Sequence, residues 1–123
     1  MEDGLYHCIT VAEDANVEID GFHVVGGYAV SSTYKSGAGM LVGKEAAVTV
    51  RNTVFENNTA VEAAAISAQD GSNLTLVNCV VNNNTNTTES ASVIAASNLT
   101  MHYVTVVNNK GAAPEEIIPP RSV

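Results

Sequence analysis

The segment NLTLVNCVVNNN, Asn73 to Asn84, decides the fold. Leu74 and Leu76 alternate with Thr75, as side chains do on a strand with one buried face. Asn78 interrupts, the alternation restarts with Cys79 and Val81, and the run closes on Asn83-Asn84. The template recurs as NVEIDGFHVVGG (Asn16 to Gly27), AVTVRNTVFENN (Ala47 to Asn58) and NLTMHYVTVVNN (Asn98 to Asn109). Its first apolar positions, Val17, Val48, Leu74 and Leu99, are 31, 26 and 25 residues apart. That spacing is too long for a hairpin and suits one coil of a solenoid.

Working outward, Val17 and Ile19, Val48 and Val50, Leu74 and Leu76, Leu99 and Met101 form inward pairs on a first strand. After a bend at Gly21, Asn52, Asn78 or Tyr103, a second strand points Phe22 and Val24, Thr53 and Phe55, Cys79 and Val81, Val104 and Val106 inward. Asn tolerates left-handed backbone at such a bend, and Asn52 over Asn78 is positioned for a short ladder. The second strand ends at Gly26-Gly27, Asn57-Asn58, Asn83-Asn84 and Asn108-Asn109; amides in a recurring turn satisfy backbone groups, so Asn57, Asn83 and Asn108 read as structural. A third strand precedes each repeat, with Ile9 and Val11, Met40 and Val42, Ile66 and Ala68 inward and a shortened version around Val93 to Ala95. Gly37, Ala38, Gly39 and Ala63, Ala64, Ala65 beside it allow close backbone approach. Parallel pairing ordinarily uses helical crossovers, but no segment carries a long 3.6-residue apolar period. The expectation is an all-β parallel β-helix (β-solenoid) of about four coils, three short strands per coil, over residues 1–110. Residues 111–123, with three prolines, read as an extended tail or linker in which Ile117 and Ile118 could fold back over the last coil.

Composition fits. The chain has 123 residues, 46% hydrophobic but only 5% aromatic and without Trp. That lines a narrow column of small side chains better than a broad core. The formal net charge is -8 with five Lys and Arg in all, which argues against nucleic acid and against an anionic membrane surface. Membrane insertion is not expected, since no apolar run approaches the roughly 18 residues a span needs. MEDGLYHC lacks a basic start and an apolar stretch, so no signal peptide is expected in this chain, which reads as a piece cut from a longer solenoid. Cys8 and Cys79 fall in different coils and in core columns, which predicts buried free thiols.

The strings LYHCITV (Leu5 to Val11), IDGFHVVGGYA (Ile19 to Ala29), GAGMLV (Gly37 to Val42), VRNTVFENNTA (Val50 to Ala60) and VNCVVNNNT (Val77 to Thr85) resemble the right-handed parallel β-helix repeats of the pectin-lyase-like superfamily. The likeness is to its surface-protein branch, including polymorphic outer-membrane proteins, and covers about residues 5 to 110. Tyr103 departs from the turn Asn, and the family's Gly-rich element is reduced to Gly-Ala-Gly-Met and Ala-Ala-Ala-Ile. The resemblance implies a secreted or cell-surface module, sometimes adhesive. Right-handedness follows from it and from the general crossover rule. The superfamily's enzymes act on acidic polysaccharides with clustered Asp, or with an Arg or Lys base and calcium. Asp3, Asp14, Asp20 and Asp70 form no such motif, so no catalytic residue is assigned.

Several positions are candidates for binding. Asp14, Glu45 and Asp70 fall near one corner of successive coils, beside Glu13 and Lys44; stacked oxygen ligands suit calcium, the one cofactor considered. Tyr28, Tyr34 and Lys35 lie on the longest insertion, where two tyrosines could stack on a sugar. Asp20 and Arg51 occupy equivalent outward positions and are expected to pair weakly. Thr49, Thr75 and Thr100 form a single outward rank explained by strand propensity. His23, Val54 and Val80, with Leu41 and Ile94 on another face, are a candidate lateral interface. Five N-x-S/T sequons begin at Asn57, Asn73, Asn83, Asn86 and Asn98. The expected function is therefore a non-enzymatic module acting as rigid spacer, adhesive or binding surface, toward carbohydrate or a surface protein. Two rivals are a fragment of a polysaccharide lyase or hydrolase, and a solenoid that self-assembles by end stacking or lateral packing.

Overall fold

The computed structural model of the chain describes residues 6–112. Its strands are β1 (Ile9–Val11), β2 (Asn16–Asp20), β3 (His23–Val25), β4 (Tyr28–Ala29), β5 (Met40–Val42), β6 (Ala47–Arg51), β7 (Val54–Glu56), β8 (Thr59–Ala60), β9 (Ile66–Ala68), β10 (Asn73–Asn82), β11 (Thr85–Asn86), β12 (Ile94–Ala95) and β13 (Asn98–Val107). Every pairing among them is parallel and joins equivalent strands of successive coils. One sheet runs β1-β5-β9-β12, a second stacks β2 and β3 on β6 and β7, then on β10 and β13, and a third runs β4-β8-β11. Chain sense and stacking order together make a parallel β-helix of four coils.

The register is the one the alternation dictates: Val17 pairs with Val48, Val48 with Leu74, and Leu74 with Leu99. Phe55, Met40, Ile66, Leu74, Leu76, Val42, Val48, Val50 and Val81 are fully enclosed in one column of core. A second, smaller column of Ala29, Ala38, Ala60 and Ala64 lies at the tight corner. A Cβ on Gly27 would meet the Ala38 carbonyl, and one on Gly39 the Ala65 carbonyl, so side chains are excluded where these backbones cross.

The partition of strands differs from the expectation. The first and second strands share one face, bent at left-handed residues Gly21, Asn52, Asn78 and Tyr103, and in coils three and four they are one ten-residue strand. The third sheet is instead the short series β4, β8 and β11. Two residues with one inward Ala or Asn leave too little alternation to read.

Two side chains are also placed otherwise than expected. Phe22 shares the column of Thr53, Cys79 and Val104 but is 57% exposed in the first coil. Ile94 is buried rather than outward: it pairs with inward Ile66, so Ala95, and not Ile94, faces solvent. From Ile66 to Ile94 is 28 residues but from Asn73 to Asn98 only 25, so coil four has lost three residues at that corner and its alternation frame has moved. The coil continues past residue 110, since Lys110 bridges Thr85 and Ala112 bridges Ser92. The expected tail beyond Ala112, with Ile117 and Ile118, lies outside the described residues.

Candidate functional site

The recurring asparagines turn out to divide two duties. The first residue of each pair, Asn57, Asn83 or Asn108, has φ near +56° and stands exposed. Left-handed backbone is where Asn is tolerated among non-glycine residues. The second, Asn58 or Asn84, is fully buried. The Asn58 Nδ2 donates to the Val24 carbonyl (3.1 Å) and to Asn84 Oδ1 (3.0 Å), and that Oδ1 also accepts the Asn58 backbone N–H (3.1 Å). Asn84 repeats this one coil on, donating to the Phe55 carbonyl (3.0 Å) and Asn109 Oδ1 (3.0 Å). Asn109 Nδ2 closes on the Val81 carbonyl (2.9 Å). The Asn58 and Asn84 amides thus each tie their own coil to the coils before and after it, and satisfy backbone groups that the corner would otherwise leave unpaired.

In coil one the place of this Asn is taken by Gly27, whose N–H donates to Asn58 Oδ1 (2.9 Å). The Cys8 thiol reaches the same oxygen at 3.7 Å and the Val25 carbonyl at 3.4 Å. It stands in for the amide donor that glycine lacks. Burial pushes both thiols, Cys8 and Cys79, above the ordinary cysteine value, which keeps them protonated donors rather than nucleophiles. Both are free, as expected, but only Cys79 is fully buried; Cys8, at the first coil, is half-buried. Asn86 is a further buried amide, accepting from the Ala64 N–H (2.9 Å) and donating to the Ala91 and Ser92 carbonyls (2.8 and 3.1 Å).

At the bend of the long face, Asn78 Nδ2 donates to Asn52 Oδ1 at 2.6 Å, and Asn52 Nδ2 continues to Asp20 Oδ1 at 3.0 Å. This ladder is exposed. It takes Asp20 away from Arg51, which instead lies 3.8 Å from Glu18. The expected Asp20–Arg51 pair is therefore corrected: the Asn52 amide, one residue on, engages the Asp20 carboxylate, and the longer Arg51 stem reaches diagonally back to Glu18.

The acidic corner sorts into two columns. Asp14 and Glu45 share left-handed turn positions (φ 63° and 62°), followed in coil three by Gly71 (φ 76°). Backbone bonds from Asp14 N to Lys44 O and from Glu45 N to Asp70 O place Glu13, Lys44 and Asp70 in the adjoining column. Asp70 is thus offset from Asp14 and Glu45, with Lys44 between it and Glu13. Gly71 leaves room for the Glu45 carboxylate, which occupies the space a Cβ there would need. Among the described residues no group of three such ligands has metal-binding geometry.

The insertion places Tyr28 and Tyr34 on the surface, 47% and 43% exposed, with Lys35 also exposed. Tyr28 sits on β4 opposite Thr59, whereas Tyr34 stacks on Tyr6, ring centroids 4.4 Å apart, and meets the His7 ring edge-on at 5.7 Å. The structure therefore gathers Tyr34 with Tyr6 and His7, which the sequence reading did not single out. His23, Val54 and Val80 do stack on one outward column, and His23 bonds Glu56 at 3.0 Å; Leu41 is half-buried on another sheet. A shallow groove of about 180 Å³ runs along Ser36, Glu62, Ser67, Ala91, Ser92 and Ala95.

The stacked parallel sheets, left-handed corners and buried amide ladder define a parallel β-solenoid. A family model described as "Right handed beta helix region" matches residues 2–115, and the chain belongs to that family, a right-handed all-β parallel β-helix. Comparison with curated proteins gave no match, and neither did comparison with solved structures.

Proposed function

We propose that the chain is a non-enzymatic β-helix module of a secreted or cell-surface protein, serving as a rigid spacer that presents a binding surface. The observation supporting this reading is the pair of corner ladders. One runs through the buried amides of Asn58 and Asn84 to half-buried Asn109, and the other through exposed Asp20, Asn52 and Asn78, so that successive coils are linked along the stack. A rod cross-linked at its corners transmits force and holds surface residues at fixed spacing. Its pectin-lyase-like, surface-protein relationship is part of the same proposal, as is a carbohydrate or surface-protein partner near Tyr28, Tyr34 and Lys35. The test is binding of the purified chain to a panel of polysaccharides, with turnover followed in calcium. Binding lost in Tyr34→Ala and without cleavage supports the module; cleavage abolished by a point mutation would make it a lyase or hydrolase fragment.

A second reading, end-to-end assembly, has its own observation. Phe22 in the first coil is 57% exposed, and Met101, Val104 and Val106 in the last are only half-buried although they continue the core columns of Leu76, Cys79 and Val81. Electron microscopy with light scattering across a concentration series separates the two: unbranched filaments of single-rod width support assembly, and a monodisperse small particle excludes it.

A further inference from the structure

We infer that coil four is an interaction surface for a second copy of this chain, the two β13 strands pairing edge to edge about a two-fold axis between His102 and Tyr103. This goes beyond the spacer reading and does not depend on it. The pairing shares the open end of coil four with the assembly reading but closes at two copies, so filaments would support that reading and overturn this one.

β13 is a ten-residue edge strand with no Pro, Lys or carboxylate to blunt its pairing. Its core columns are unfinished. Met101 and Val106 are half-buried, whereas Ile19 and Val24, which hold the same columns in coil one, are 8% and 4% exposed. The backbone is unfinished too. The carbonyls of Val24, Phe55 and Val81 each accept an Asn amide from the coil beyond. Val106 follows them in that column and has no such partner among the described residues. The carbonyls of Phe22 and Thr53, in the column of Val104, accept N–H groups of the next coil, and the Val50 carbonyl, in the column of Met101, faces the Cys79 thiol of coil three. Met101, Val104 and Val106 therefore aim carbonyl and N–H at the open end, and Leu99 does so by strand alternation.

The order of these residues reads the same in both directions. Leu99 and Met101 stand before the bend, Val104 and Val106 after it. An axis between His102 and Tyr103 sets Met101 opposite the partner's Val104 and Leu99 opposite the partner's Val106. Opposed residues then exchange N–H and C=O as the hydrogen-bonded pairs of an antiparallel ladder, and their apolar side chains meet inside. Thr100 meets the partner's Thr105 on the outside. Stacking coil one of another copy here would instead set Gly27 where an Asn amide is needed, leaving the Val106 carbonyl unpaired. Charge favours the same choice. The chain carries -8, yet from Ser90 to Ala112 Lys110 is the one residue of formal charge, while Glu13, Asp14, Glu18 and Asp20 crowd coil one. A cover supplied by residues 113–123 is the competing occupant and predicts a monomer.

Sedimentation equilibrium of the full chain over a concentration series tests this. A dimer is expected; a monomer at every concentration, or growth beyond two copies, overturns the inference. The outward threonines read the register, since opposite charges directly across a strand pair attract and like charges repel. Thr100→Lys with Thr105→Glu should keep the dimer, while two glutamates or two lysines at these positions should each weaken it about tenfold or more. Weakening by the glutamates with tightening by the lysines would mean that net charge alone decides, and overturns the pairing. Should the variants not fold, a mixture of isotope-labelled and unlabelled natural chain gives a second reading. Methyl contacts between Leu99 of one copy and the partner's Val106 are expected, and their absence from the dimer also overturns the inference.

Discussion

Two corners of the coil solve one geometric problem in different ways. At both, the chain turns through a left-handed residue in each successive coil: Asn57, Asn83 and Asn108 at one, Asp14, Glu45 and Gly71 at the other. At the first corner the residue that follows is an Asn, buried at Asn58 and Asn84 and half-buried at Asn109, and each buried amide bonds groups in the coils before and after its own. At the second the following residues are Ala15, Ala46 and Ser72, whose buried hydroxyl bonds the Gln69 carbonyl within its own turn, and the charged groups are exposed carboxylates and Lys44. The comparison teaches that repeated polarity at a turn is not repeated importance. A buried amide has no water to replace its partners when they are lost, whereas an exposed carboxylate does.

The sharpest break of that comparison is Asn84→Ala. It removes the acceptor of the Asn58 N–H and Nδ2, and the donor to the Phe55 carbonyl, all in the interior. At about 1–3 kcal/mol for each buried group left unpaired, we expect a loss of about 3 kcal/mol or more in urea unfolding. Cys8→Ala should cost less, about 1 kcal/mol, because a weak thiol donor to Asn58 is lost at the edge of the same ladder; Cys8→Ser should recover part of it. Tyr103→Asn should stabilise by about 1 kcal/mol. Tyr103 holds φ 57° with its ring 87% exposed, and Asn relieves the left-handed strain while extending the Asn52–Asn78 ladder. Smallest is Lys44→Ala at the acidic corner. A loss of about 0.5 kcal/mol, shrinking as salt is raised, is expected for an exposed cation among carboxylates; a loss as large as that of Asn84→Ala would erase the distinction between the corners.

Much of the architecture was legible because its signal is the alternation of Val, Leu and Ile at fixed spacing, which survives any local irregularity. The inward pairs from Val48 to Leu76 and the left-handed bends at Asn52 and Asn78 follow from residue type alone. The series β4, β8 and β11 was not legible, since Tyr28–Ala29, Thr59–Ala60 and Thr85–Asn86 are too short to show a period. Nor was Ile94, because a three-residue shortening reverses the frame without marking itself in composition. In the corner pairs, residue identity is the same at both places, so sequence shows that Asn recurs but not which one is buried. Only stacking separates Asn83 from Asn84. The Tyr6, His7 and Tyr34 cluster depends on how far the insertion folds back, which no local pattern encodes.

The most direct test of the account is equilibrium unfolding of Asn84→Ala beside its neighbour Asn83→Gly. Asn83 is exposed, has φ 56°, and among the described residues its side chain bonds only its neighbour Asn82, at 2.6 Å, so glycine keeps the turn. The account predicts a loss of about 3 kcal/mol or more for Asn84→Ala and a change within about 0.5 kcal/mol for Asn83→Gly. Equal losses at the two positions, or a larger one at Asn83, would contradict the claim that the buried amide ladder holds the coils together.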